Sequence, residues 1–92
     1  MNKEDLPKQW IKLLSCIENF GSIHGKSLNK YVKKGLVEFD ILGSWELQNL
    51  DLIKTEEEKF NNGKIKDVIY IITEEGKEFI RKLKNETSTT KK

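Results

Sequence analysis

Between Leu50 and Ile80 the residue order admits one simple arrangement: a helix end, a two-stranded hairpin and a new helix. Val68, Ile69, Tyr70, Ile71 and Ile72 are the β-branched and aromatic residues of a strand, and Asn62-Gly63 is a short-range signal for a tight hairpin turn. The polar run 54–59 supplies the first strand, 61–64 the tip and 65–72 the second strand. Thr73 then stands at a helix N-cap. Glu74 and Glu75 follow in the first turn, where carboxylates complement the helix dipole. Phe79, Ile80 and Leu83 form a short apolar stripe on a helix that is otherwise charged and runs to about Lys84. The tail 85–92, rich in Thr and Lys, reads as a disordered polar segment.

Upstream, Pro7 suits the first turn of a helix, with Asp5 as its cap, and Gly21 ends that helix after Phe20. Trp10, Leu13, Leu14, Ile17 and Phe20 recur every three or four residues, so they line one stripe and carry much of the core. Residues 22–25 are a connector in which Ile23 can pair briefly with the hairpin. A second helix, from Lys26 or Ser27 to Lys34, buries Leu28, Tyr31 and Val32, turns its lysines outward and stops at Gly35. Residues 37–52 hold a third helix. Its core face is Leu47 and Leu50, in line with Gly43 and Phe39, while Ile41, Trp45 and Gln48 fall on another face. Trp45 admits three readings: a core residue, a contact between subunits, or an apolar contact to thymine methyl groups.

A chain of 92 residues is one small domain, here 1–84 followed by the tail, and it buries only a modest share of its surface, so a second subunit is expected to contribute stability. With 36% hydrophobic and 35% charged residues it is apolar enough to fold. The net charge of +2 is small, but its distribution is uneven. From Ser22 to Lys34 there are four lysines and no acid; from Leu36 to Ile53 there are four acids and no base. The lone Cys16 excludes an internal disulfide and fits a reducing compartment; it reads as a buried thiol, with an intersubunit disulfide as the alternative. No apolar run approaches the roughly 18 residues that span a bilayer, and the expectation is a cytoplasmic protein without membrane contact. His24 has no second histidine and Cys16 cannot complete a metal site, so neither metal nor cofactor is expected. Gly25-Lys26-Ser27 lacks the upstream glycine of a phosphate loop, and no catalytic triad or carboxylate pair stands out, so the chain does not read as an enzyme.

Three pieces of the chain resemble the winged helix-turn-helix superfamily, and within it PadR-type regulators and small winged-helix proteins of archaeal plasmids and viruses. His24-Gly25-Lys26-Ser27-Leu28 is similar to the His-Gly-aromatic-x-Leu that opens helix 2 of PadR-type proteins, with Lys26 in place of the aromatic. The run from Leu47 to Ile53 looks like the end of a recognition helix entering a wing strand, with Asp51 where glycine is common. Tyr70-Ile71-Ile72-Thr73-Glu74-Glu75-Gly76-Lys77 is similar to the Tyr-x-Leu-Thr-x-x-Gly-Arg/Lys junction. The resemblance implies an α+β fold: a three-helix core, a two- or three-stranded wing sheet and a C-terminal helix.

It also implies double-stranded DNA as partner, with the third helix in the major groove and the wing against the backbone or minor groove. Phosphate contacts are then expected from Lys26, Ser27, Lys30, Lys33 and Lys34 and from Lys59, Lys64 and Lys66 of the wing. Base edges fall to Ser44, Gln48 and Asn49, because the third helix has no lysine or arginine. Asp40 and Glu46 are expected to face away from phosphates. A homodimer interface is expected at Trp10, Phe79, Ile80 and Leu83. The corresponding function is a homodimeric transcriptional regulator, most simply a repressor, associated with the nucleoid. One alternative is a plasmid partition protein that spreads on DNA and recruits a segregation partner; another is a protein-interaction winged helix that meets its partner through Trp45 and the acids of the third helix.

Overall fold

The structure, a computed structural model, describes residues 6–90, with side chains as far as Asn85. It is an α+β fold of four helices and a three-stranded antiparallel sheet. Helix α1 (Lys8–Phe20) starts after Pro7, whose carbonyl accepts from the Trp10 and Ile11 amides at 3.0 and 3.2 Å. The cap expected from Asp5 lies outside the described residues. Strand β1 (Ser22–His24) leads directly into α2 (Gly25–Lys33), and Gly35 closes that helix by donating to the Val32 carbonyl at 3.0 Å.

Helix α3 (Ile41–Asn49) is shorter than the expected 37–52. The Asp40 carboxylate accepts from the Leu42 amide at 2.9 Å and fixes the first turn, so residues 37–40 remain a connector that sinks Val37 into the core. At the other end Asp51 turns the chain with φ 61°, and the Leu52 amide reaches back to the Leu47 carbonyl at 2.9 Å.

Strands β2 (Ile53–Lys59) and β3 (Ile65–Ile72) form the hairpin, and β3 also pairs with β1, giving the order β1-β3-β2. The pairing expected of Ile23 is present, opposite Tyr70. The hairpin turn is looser than a two-residue Asn-Gly loop. Gly63 donates to the Phe60 carbonyl at 2.9 Å, Phe60 donates to the Lys64 carbonyl at 2.8 Å, and Gly63 takes a φ of 85°. Residues 61–63 thus make a three-residue connection closed by a left-handed glycine, and the ladder shifts register between Glu58 and Lys59.

Helix α4 (Glu74–Thr90) is capped by Thr73, whose Oγ1 accepts from the Gly76 amide at 2.9 Å. It continues past the expected end near Lys84 and takes in residues 85–90 of the stretch expected to be disordered, which contains neither glycine nor proline to stop it. Lys91 and Lys92 lie outside the described residues.

Alternation along the strands turns Ile23, Ile53 and Ile72 to one face of the sheet, where they meet Leu13, Leu14 and Ile17 of α1. Leu28, Leu47, Leu52 and Ile80 complete the core around them. Phe20, at the end of the α1 stripe, is half-exposed and stacks obliquely on Tyr31 with ring centroids 5.6 Å apart.

Candidate nucleic-acid interface

Helix α2 presents the basic surface. Leu28 is buried and Tyr31 and Val32 half-buried on its inner side, which leaves Lys26, Ser27, Lys30, Lys33 and Lys34 exposed. His24 contributes no side-chain cap to this helix. An acid 41 residues away does so instead: Asp67 of β3 accepts from the Lys26 amide at 3.4 Å through Oδ2, and from its own neighbour Val68 at 2.8 Å through Oδ1. A carboxylate therefore already occupies the positive end of α2. Asp67 was missed in the sequence, although a lone acid in an apolar strand is a usable signal.

The hairpin carries the second group of cations. Lys59, Lys64 and Lys66 are exposed, and the stretch from Lys59 to Lys66 contains no acid. The Lys59 ammonium lies 3.9 Å from Glu57, an exposed pair that solvent largely screens, and Lys66 sits 5.9 Å from the ring centre of the exposed Phe60. Further down the hairpin, Glu58 meets His24 at 3.7 Å. Three lysines thus gather at the tip, while Lys54 is exposed at the base of β2.

The expected base-reading residues of α3 are not equivalent. Ser44 is only 2% exposed, because it and Gly43 form the side of α3 that packs inward; it is withdrawn from any contact surface. Gln48 is half-buried, donates to the Ser44 carbonyl at 3.2 Å and accepts from the Thr55 hydroxyl, so it ties α3 to β2. Asn49 alone of the three is exposed. Trp45 is 56% exposed, which removes its reading as a core residue. Ile41 and Leu42 are equally open, at 50% and 59%. The Asp40 carboxylate turns towards α1, where its Oδ2 accepts from the Trp10 indole at 3.1 Å.

The residues of the expected subunit interface are placed differently from one another. Trp10 is held between Asp40 and Gly43, where an added Cβ would stand 2.6 Å from the indole ring, and Ile80 is 4% exposed. Ile80 thus belongs to the core of one chain, and Trp10 packs against that core while partly buried. Of the expected interface, Trp10, Phe79 and Leu83 keep partial exposure.

No family model, curated protein or solved structure matches this chain. What the chain can do therefore rests on its own geometry. A cleft of about 220 Å³ lies between α2 and β3, lined by Gly25, Leu28, Asn29, Val32, Phe39 and Tyr70. Burial, and secondarily the nearby Asp67 carboxylate, push the Tyr70 phenol above its ordinary range. Burial likewise raises the Cys16 thiol, which disfavours the thiolate needed for disulfide exchange. Among the described residues no three His, Cys, Asp or Glu are grouped to hold a metal ion, and no helix is long and apolar enough to cross a membrane.

Proposed function

We propose that this chain is a winged helix-turn-helix protein that binds double-stranded DNA and acts as a transcriptional regulator, most simply a repressor. The observation that carries the reading is the pair of acid-free lysine groups on α2 and at the tip of the β2–β3 hairpin, set on an order of elements that ends in a hairpin and a Thr-capped helix. Phosphates are the natural targets of such lysines. With Ser44 buried and Gln48 engaged inside the chain, base reading by α3 rests on Asn49, so affinity is predominantly electrostatic. Pairing of copies through Phe79 and Leu83 is part of this reading.

Titration of labelled duplex over a range of salt concentrations tests it. Log affinity is expected to fall linearly with log salt, by about 0.9 for each phosphate neutralised. Lys30→Glu with Lys33→Glu is expected to weaken binding at least tenfold for every duplex sequence and to lower that slope. Failure to bind duplex at low salt ends the proposal.

The outward Ile41, Leu42 and Trp45 side chains favour a second reading, a partition protein that coats DNA, since apolar residues beside Glu46 are ill suited to a groove lined by phosphates. Footprinting separates the two. A short saturating footprint fits a local regulator, and protection that extends as protein is added fits a coat.

A further inference from the structure

At the far end of the β2–β3 hairpin every residue from Lys59 to Lys66 is exposed, and two of them are large and apolar: Phe60 at 52% and Ile65 at 54%. One exposed apolar side chain is ordinary. Two that flank a single tight turn, among Lys59, Lys64 and Lys66 and with no acid in the same stretch, make a surface of definite character. The other large apolar side chains in solvent have different surroundings. Those from Leu36 to Trp45 lie in a stretch whose charges are all acidic, and Phe20 stacks on Tyr31.

The strand register holds the ring in place. Glu58 pairs with Asp67 and Lys59 with Ile65, so Lys66 is an extra residue in β3 with no partner opposite it. Its ammonium stands 5.9 Å from the centre of the Phe60 ring, and the Phe60 amide donates to the Lys64 carbonyl at 2.8 Å. Both contacts fix Phe60 without burying it, so the ring is arranged before any partner arrives.

Apolar side chains ringed by cations fit a polyanion with an apolar interior, which describes a stacked duplex and an anionic bilayer. Two side chains are too little for a bilayer, whose interfacial proteins bury the whole apolar face of a helix. A duplex needs no more than a wedge that enters a base step from the minor groove, unstacks it and bends the helix. We propose that Phe60 is such a wedge, with Ile65 beside it and with Lys59, Lys64 and Lys66 on the flanking phosphates. The minor groove, about 6 Å wide, does not admit a two-stranded ribbon until a step is opened, and pyrimidine–purine steps such as TA open most readily. Sequence preference then comes from deformability, which matters in a chain whose α3 offers Asn49 alone to base edges. This inference rests on the duplex-binding reading above.

Two duplexes of equal composition test it, one centred on TTTTAAAA and one on AAAATTTT, with flanks that add no pyrimidine–purine step and with 2-aminopurine in place of a central adenine. The full chain is expected to bind the TA duplex more tightly and to raise its 2-aminopurine fluorescence severalfold at saturation, as unstacking does. Phe60→Ala is expected to lose the rise and the preference, with affinity for the TA duplex lower by about tenfold, the order that loss of one stacked ring brings. Its salt slope stays that of the wild type. Lys64→Gln with Lys66→Gln does the reverse: the slope falls, and the rise persists at saturation. Circular dichroism checks that Phe60→Ala folds, with Phe60→Thr, a better strand former, as replacement. Four results overturn the proposal: duplex binding without a rise, a rise that survives Phe60→Ala, tighter binding to the single strand than to the duplex, or Phe60-dependent binding to phosphatidylserine vesicles with no rise on DNA. Absence of any duplex binding ends the DNA reading itself, and this wedge with it.

Discussion

Asp51 is the one residue other than glycine with positive φ among the described residues, at 61°. An L-residue pays about 1–2 kcal/mol for this conformation, less for Asp than for most, and the carboxylate also sits at the negative end of α3. Asp51→Gly removes both terms, against a glycine entropy cost of about 0.5–1 kcal/mol. The expected net gain is about 0.5 kcal/mol, read as an increased urea midpoint with unchanged slope. Tyr70 gives a pH dependence of definite sign. Its folded value lies above the ordinary 10.0, chiefly through burial. The stability linked to the protonated phenol is therefore complete below the unfolded value and lost as pH rises through the folded one. Comparison of wild type with Tyr70→Phe at neutral pH and above pH 10.0 is expected to show a steeper alkaline loss in the wild type. An identical loss in both would remove this residue from the account.

The seat of α4 shows how one element depends on another. The Thr73 hydroxyl donates to the Asp51 carbonyl and accepts from the Gly76 amide, while the Thr73 amide donates to the Leu52 carbonyl at 3.2 Å. Gly76 lies against that same carbonyl so closely that a Cβ there would collide with backbone as well as with Ile72 Cδ1, 2.6 Å away. Gly→Ala inside a helix ordinarily gains about 1 kcal/mol. Here the neighbour is backbone and cannot yield, so strain of about 1–3 kcal/mol or more decides the sign. Gly76→Ala is expected to destabilise by about 2 kcal/mol net, and Thr73→Ala by about 1–2 kcal/mol through the lost cap, whereas Thr73→Ser keeps the hydroxyl and most of the stability. Thermal unfolding of the three variants checks the order; a neutral Gly76→Ala would show that α4 does not bear on Leu52. The spacing of Thr73 and Gly76 thus has a mechanical cause, independent of any ligand.

Over the whole molecule charge is uneven: exposed lysines without acids on α2 and at the hairpin tip, acids without lysine or arginine around α3, and mixed charge along α4. A net charge of +2 conceals this unevenness. The elements were legible wherever the signal is local. The α1 stripe, the strand-turn-strand order and the Thr73 cap follow from side-chain period, turn chemistry and capping, all set by neighbours within a few residues. The core face of α3 was legible as well, since the helical period sets Gly43 and Leu47 on one side and Ile41 and Trp45 on another, and the first two are buried and the last two exposed. The burial of Ser44, expected at a base edge, was not legible, because it depends on how closely α3 approaches α1, where the Trp10 ring lies against neighbouring Gly43. The same holds for Ile80, drawn into the core while its neighbour Phe79 keeps partial exposure, and for Asp67, which caps a helix 41 residues away. The sequence by itself determined the order of elements and the clustering of lysines, since these depend on contacts near in the chain. The tertiary structure alone decided that Ser44 is withdrawn and Gln48 engaged inside the chain, because both depend on how closely two other elements, α1 and β2, approach α3.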